Sequence, residues 1–161
     1  MIDQQDDAAS DTHYWIDSSW FDENNIAFED FAQARMCESC GERVNEEVEE
    51  RYTAFDQKSG RASIDVRRVR YGEDPIKVIR EDCSKKRSYI TADMPTLEAV
   101  FRVLLATGNT PMRLAEIREQ LAEWCPGGGC QWLLLPADQL ERVIRNDKFY
   151  GSRAQESVAA A

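Results

Sequence analysis

The stretch Leu97-Glu98-Ala99-Val100-Phe101-Arg102-Val103-Leu104-Leu105-Ala106-Thr107-Gly108 decides the fold class of this chain. Leu97, Val100, Phe101, Leu104 and Leu105 recur at the spacing of one helix face, and such a face needs a partner surface to leave water. Gly108 can take the left-handed backbone that ends a helix. Downstream, Leu114, Ile117, Leu121 and Trp124 make a second apolar face. Pro136 opens a third helix with Leu140, Val143 and Ile144 inward. Between the second and third helices lie the loop Cys125-Pro126-Gly127-Gly128-Gly129-Cys130 and a short apolar run, Gln131 to Leu135. Lys148-Phe149-Tyr150-Gly151 reads as a closing strand. The three helices define a unit over residues 91–153, beginning where Thr91-Ala92-Asp93-Met94-Pro95 changes the character of the chain.

Upstream, residues 1–12 are polar and read as a disordered acidic tail. Tyr14, Trp15, Ile16, Trp20 and Phe21 then follow in quick succession and must pack on something. Ile26, Phe28, Phe31 and Ala32 predict a helix from Ala27 to Arg35. Val44, Val48, Tyr52 and Phe55 predict an amphipathic helix with an acidic far side. Gln57-Lys58-Ser59-Gly60 is a break. Ala62, Ile64 and Val66 alternate as a strand does. Asp74-Pro75 reads as a helix start, with Asp as the cap and Pro at the first helical position. The expectation is an α+β, mainly helical protein: a cysteine-containing module over 13–90, the three-helix unit over 91–153, and tails at 1–12 and 154–161.

At 161 residues the chain suits one domain or two very small ones. Its net charge of −10 is uneven, because residues 1–35 hold nine acids and one base. Residues 57–87 instead hold ten bases against five acids, a surface an acidic tail could screen or a partner could meet. No segment is long and apolar enough to span a bilayer. The acidic start is the reverse of a signal peptide's basic region. The expected location is cytoplasmic, with reduced thiols, and five cysteines is an odd number for a disulfide framework.

Cys37-Glu38-Ser39-Cys40-Gly41 has the spacing with which two thiolates chelate one ion from a tight turn. It resembles the first half of a zinc knuckle or zinc ribbon. Cys83 is the expected third ligand, with zinc as the metal. Asp82, the single histidine His13, or a cysteine of the glycine loop are candidates for a fourth. Lys85, Lys86 and Arg87 would compensate clustered thiolates. Equally, Cys83 could be a buried small hydrophobe, and Cys37 and Cys40 a pair without metal. A thioredoxin-like redox role fits poorly, because the pair follows a predicted helix and lies outside any βαβ pattern.

The three helices, the extended link Asn109-Thr110-Pro111-Met112 and the aromatic strand Phe149-Tyr150 resemble a winged-helix domain. Thr110-Pro111-Met112-Arg113-Leu114-Ala115-Glu116-Ile117 resembles the start of that family's second helix. The resemblance implies a third helix set in the major groove and a partner that is DNA. On that reading Arg142 and Arg145 face bases, while Arg67, Arg68, Arg70, Lys85, Lys86 and Arg87 meet phosphate. Two departures count against it. A single strand after the third helix leaves the wing truncated, and the link from Cys125 to Leu135 is long for a helix-turn-helix. The outward side of the third helix also carries three acids (Asp138, Glu141, Asp147) and three bases (Arg142, Arg145, Lys148).

No phosphate-binding glycine motif, catalytic triad pattern or small-molecule substrate site is evident. The chain is therefore expected to be non-enzymatic. One expectation is a transcription-regulator-like, nucleic-acid-associated protein with a structural zinc. The other is a protein-interaction adaptor that uses the three-helix unit and the Trp15/Trp20 segment without binding DNA.

Overall fold

The computed structural model describes residues 11–156. In chain order it contains β1 (Thr12–Ile16), α1 (Ser18–Glu23), α2 (Phe28–Gln33), α3 (Glu38–Glu42), β2 (Glu47–Phe55), β3 (Ala62–Arg70) and α4 (Pro75–Glu81). A 3-10 turn (Cys83–Lys85), α5 (Thr96–Ala106), β4 (Met112–Arg113), α6 (Leu114–Glu123), α7 (Gln131–Leu134), α8 (Ala137–Arg145) and β5 (Ser152–Glu156) follow. The fold is α+β, with two antiparallel sheets.

Helix α5 is the centre of the core. Val100, Phe101, Leu104 and Leu105 lose all solvent exposure there, as the spacing predicts. They join Tyr14, Phe21, Ile79, Ile117, Leu121, Trp132, Leu140 and Ile144 in one cluster. Ile90 and Tyr89 are buried in the same cluster. Gly108 adopts φ +73° just past α5, which fits its role as the stop.

The first sheet ties the chain's two ends together. β1 lies between β4 and β5, antiparallel to both. Its alternation puts Thr12, Tyr14 and Ile16 inward. The Asn109 side chain extends the pairing, donating to the Ile16 carbonyl at 2.8 Å and accepting from the Ile16 N–H at 2.8 Å. Tyr14 donates its hydroxyl to Glu141 on α8 at 3.0 Å. At the start of β5, Gly151 takes φ +70°, and a Cβ there would stand 2.8 Å from the Phe21 ring. Only glycine fits that close approach.

Several expectations are corrected. Residues 47–55 form strand β2 and not a helix, so with β3 they make a hairpin of two nine-residue strands instead of adding to a mainly helical fold. A spacing of four is even, so Val48 and Tyr52 share a strand face as readily as a helix face. Phe149 and Tyr150 form a turn and not a strand. Asp147 Oδ1 accepts from both their N–H groups, at 2.8 and 3.0 Å, and the strand starts only at Ser152. Thr12 and residues 154–156 belong to strands, whereas the remaining parts of the expected tails, residues 1–10 and 157–161, lie outside the described residues.

A part-buried ion cluster joins the N-terminal helices to α5. Both Glu98 oxygens accept from Arg35 at 3.2 Å, and Oε1 also accepts from Arg102 at 3.0 Å. Arg35 lies 3.7 Å over the Phe31 ring, which packs edge-on against Phe101. Burial favours the protonated form of Glu98, but Arg35 and then Tyr150 and Arg102 outweigh it and hold the carboxyl below its ordinary range. Glu98→Gln leaves two part-buried guanidiniums without a counter-charge and should cost about 2–3 kcal/mol. The sign with pH follows from the lowered value. The stabilisation is present above the unfolded carboxyl's pKa and is lost as acid protonates Glu98. Denaturant midpoints should therefore fall from about pH 5 to pH 3 in the native protein, and more shallowly in the variant.

Candidate metal centre

The hairpin leaves the body between two short pieces of backbone that both carry cysteine. Cys37 is the extended residue before α3, and Cys40 lies inside that helix. Cys83 follows α4 at the head of the 3-10 turn. The three sulfurs lie within 4.8 Å of one another, with Cys40 and Cys83 buried and Cys37 half-buried. The Cys37 N–H donates to Cys83 Sγ at 3.3 Å, which fixes the two segments in register.

The surroundings polarise the three thiols differently. Burial works against a Cys37 thiolate, but hydrogen bonds from Ser39, Cys40 and Cys83 outweigh it and bring the thiol down to about 6. Ser39 Oγ lies 3.5 Å from Cys37 Sγ. Cys83 is pushed up to about 12, by burial first. Lys86 hydrogen-bonds Ser39, and the Cys37 sulfur holds its ammonium charge more firmly than usual. The cluster therefore pairs clustered sulfur with an adjacent cation, which suits a thiophilic metal ion.

Around one zinc ion at about 2.3 Å, three sulfurs stand roughly 3.8 Å apart, so closing on a metal needs shifts of about half an ångström. None of the expected fourth ligands completes the set. The Asp82 carboxylate instead accepts from Tyr71 at 2.7 Å. His13 sits in β1 opposite Arg113 and bonds the Asp11 carbonyl at 3.0 Å. Cys125 and Cys130 are joined in a disulfide, contrary to the reduced state expected of them. The glycine loop turns back on itself and brings these two buried sulfurs to each other, not to Cys37 and Cys40. Tyr71, just past β3, was not singled out by the sequence. Burial and its contacts with Cys40 and Asp82 keep its hydroxyl protonated. No spacing rule announces such a residue, because its position depends on the hairpin.

The residues expected to meet DNA do not form one surface. Arg67, Arg68 and Arg70 lie on β3, opposite Glu50, Glu49 and Glu47 of β2. Arg67 bonds Glu50 at 3.0 Å, and Glu50 also holds Lys77 of α4. Lys85, Lys86 and Arg87 are exposed beside the cysteine cluster. Arg145 pairs with Glu141 at 3.0 Å, and Arg142 lies 3.9 Å from Asp138. The arginines of β3 are thus met by acids on a strand outside that window, whereas Lys85, Lys86 and Arg87 face no acid of that strand. A cleft of about 790 Å³ separates the hairpin from α4, but Glu50, Arg67, Lys77, Tyr71 and Asp82 on its walls are tied to one another.

No protein-family model, no curated protein and no solved structure matches this chain. No helix among the described residues is long and apolar enough to cross a membrane.

In reduced, metal-free protein, far-ultraviolet thiolate absorbance should rise with one step per chain near pH 6, and Cys37→Ser should remove the step. Because the folded value lies below that of an unfolded thiol, about 8.5, this group adds stability as pH rises from 6 towards 9 and loses it as pH falls through 6. A first step above pH 8 would show that the Ser39 and Cys40 contacts do not hold the thiolate.

Proposed function

We propose that this protein is a non-enzymatic regulatory module in which Cys37, Cys40 and Cys83 hold one structural zinc ion, and that its partner is a protein surface. The observation that carries the metal is the convergence of three sulfurs within 4.8 Å from two segments more than forty residues apart. Zinc is favoured over hard cations because all three donors are thiolates. When bound, the ion would supply a cross-link between α3 and the end of α4, at the root of the hairpin. The Cys37 N–H and Lys86 would offset the negative charge left by three thiolates on a divalent ion. The fourth position would fall to water or to a donor beyond the described residues.

The order helix, strand, helix, short helix, helix, strand over residues 96–156 supports a winged-helix-like reading of this half, with the four-residue α7 as an extra turn in the link. In this arrangement β1 arrives from the other end of the chain to lie between β4 and β5, so no hairpin loop projects beside α8 as a wing. A DNA partner is the weaker reading, because phosphate binding needs uncompensated cations. Arg67, Arg145 and Arg142 each have an acidic neighbour within 4.0 Å, and Arg68 and Arg70 face Glu49 and Glu47 across the hairpin. Trp20 packs on the core and Trp15 is half-buried, which offers less free surface for a partner than the exposed hairpin.

Native mass spectrometry of the reduced protein should find one zinc per chain, lost in Cys83→Ala. A folded chain without metal would sink the zinc assignment. Fluorescence anisotropy with a labelled DNA duplex should show no binding that weakens steeply from about 50 to 200 mM salt. Micromolar binding with that salt dependence would restore the nucleic-acid reading.

A further inference from the structure

One face of the β2–β3 hairpin turns to the body at its root, and the opposite face is free along its whole length. Register assigns the residues. Val48, Glu50, Tyr52 and Ala54 of β2 share a face with Val69, Arg67, Asp65 and Ser63 of β3. At its root this face is half-buried, and its Glu50 is paired with Lys77 of α4. The opposite face is exposed at every position: Glu47, Glu49, Arg51, Thr53 and Phe55 on β2, and Arg70, Arg68, Val66, Ile64 and Ala62 on β3. Phe55, Ile64 and Val66 stand 66%, 75% and 50% exposed on it. Two-stranded hairpins are at best marginal in water without a cover on an apolar face. A cover is therefore expected, and the body lies on the other side.

From the pattern on this face we infer that it is the self-association surface of the protein, and that two copies pack their hairpins face to face with the arms parallel. A twofold axis running along the arm sets each β2 over the second copy's β3, at the same height. Every rung then meets its own reverse. At the tip, Phe55 lies over the second copy's Ala62. One rung down, Ile64 lies over Thr53, and below that Val66 lies over Arg51. Large side chains meet small or flexible ones at each step, which lets two sheets close to about 10 Å. At the root, Glu49 lies over Arg68 and Glu47 over Arg70. Each carboxylate then has a cation beside it in its own hairpin and another facing it. Antiparallel arms lose this match, placing Phe55 over Arg51 and leaving the charged rungs beyond the second copy's tip.

The face measures about 30 by 10 Å, from nine residues of strand rise and two strands, which is small for an interface. The dimer is accordingly weak, with a dissociation constant of tens of micromolar. It uses neither the cysteine cluster nor its metal. Zinc content measured on the same samples therefore reports separately on the metal centre.

Sedimentation equilibrium of the full chain, loaded from about 2 to about 200 μM, tests this. The native protein should pass from monomer to dimer across that range. Ile64→Lys sets two unpaired ammonium groups at the middle of the interface and should leave monomer throughout. Arg68→Glu places four carboxylates in facing rungs and should weaken the dimer about tenfold or more. Glu49→Arg combined with Arg68→Glu rebuilds the same pattern reversed and should restore it. All three residues changed are exposed on the arm, and circular dichroism checks that each variant is folded. Should Ile64→Lys disturb the hairpin, the charge reversal and its rescue decide alone. A native protein that stays monomeric overturns the proposal. So does a dimer that survives Ile64→Lys, which would place the contact on the strand edges or elsewhere, and so does a double reversal that fails to rescue.

Discussion

The carboxylate of Glu98 is the point on which the two halves of the chain converge. It binds Arg35 through both oxygens and Arg102 through one, with all three side chains less than one-fifth exposed. Arg35 in turn covers Phe31, and Phe31 packs on Phe101 and Tyr150. Arg102 also donates to the Tyr89 carbonyl at 2.8 Å while Tyr89 donates its hydroxyl to the Arg102 carbonyl at 2.6 Å. One part-buried charge thus fixes the positions of α2, the segment before α5, α5 itself and the turn before β5. Two cations around one carboxylate leave a net positive charge in a poorly hydrated place. The aromatic faces around Arg35 are suited to absorb it, since their negative quadrupoles attract a guanidinium.

The cysteine centre stands at the edge of this framework and controls a different part of the molecule. Among the described residues, none from the hairpin strands joins the core cluster, and those strands meet the body near their root. There Tyr71 touches Cys40 and bonds Asp82, the residue before Cys83. The Asn45 N–H donates to the Tyr71 carbonyl, and the Tyr71 N–H donates to the Glu46 carbonyl. The geometry of the three sulfurs and the angle at which the hairpin leaves the body are therefore set by the same few residues. A metal that draws the sulfurs together would also fix that angle, which links the proposed zinc centre to presentation of the arm.

What was legible in the sequence follows from which signals are local. The faces of α5, α6 and α8 were readable because helical spacing agrees with the stop at Gly108 and the start at Pro136. The convergence of Cys37, Cys40 and Cys83 was readable because a C-x-x-C pair and one distant cysteine have few other uses. The hairpin was misread because Val44, Val48 and Tyr52 satisfy both periods, and the deciding information is the complementarity between Glu47, Glu49, Glu50 and Arg70, Arg68, Arg67 across the turn. That complementarity is not local. The same omission produced the apparent basic patch, since a window count cannot see acids that a turn brings opposite. The place of β1 was hidden for a related reason. A sheet built from the two ends of the chain leaves no short-range trace beyond alternating burial in Thr12 to Ile16.

Charge on the hairpin then has to be explained twice. Within one chain, opposed Glu and Arg rungs stabilise antiparallel pairing, and for that purpose either face would serve equally. Yet the two faces are used differently. On the body side a single pair, Glu50 with Arg67, is engaged by Lys77. On the free side two successive rungs, Glu47/Arg70 and Glu49/Arg68, sit below three rungs bearing Phe55, Ile64 and Val66. Intrachain pairing alone gives no reason to segregate apolar rungs to the tip and matched charges to the root of the exposed face. A surface that must meet its own copy in one direction does. Apolar rungs supply the attraction, and the charged rungs, complementary only when the arms run parallel, set the orientation.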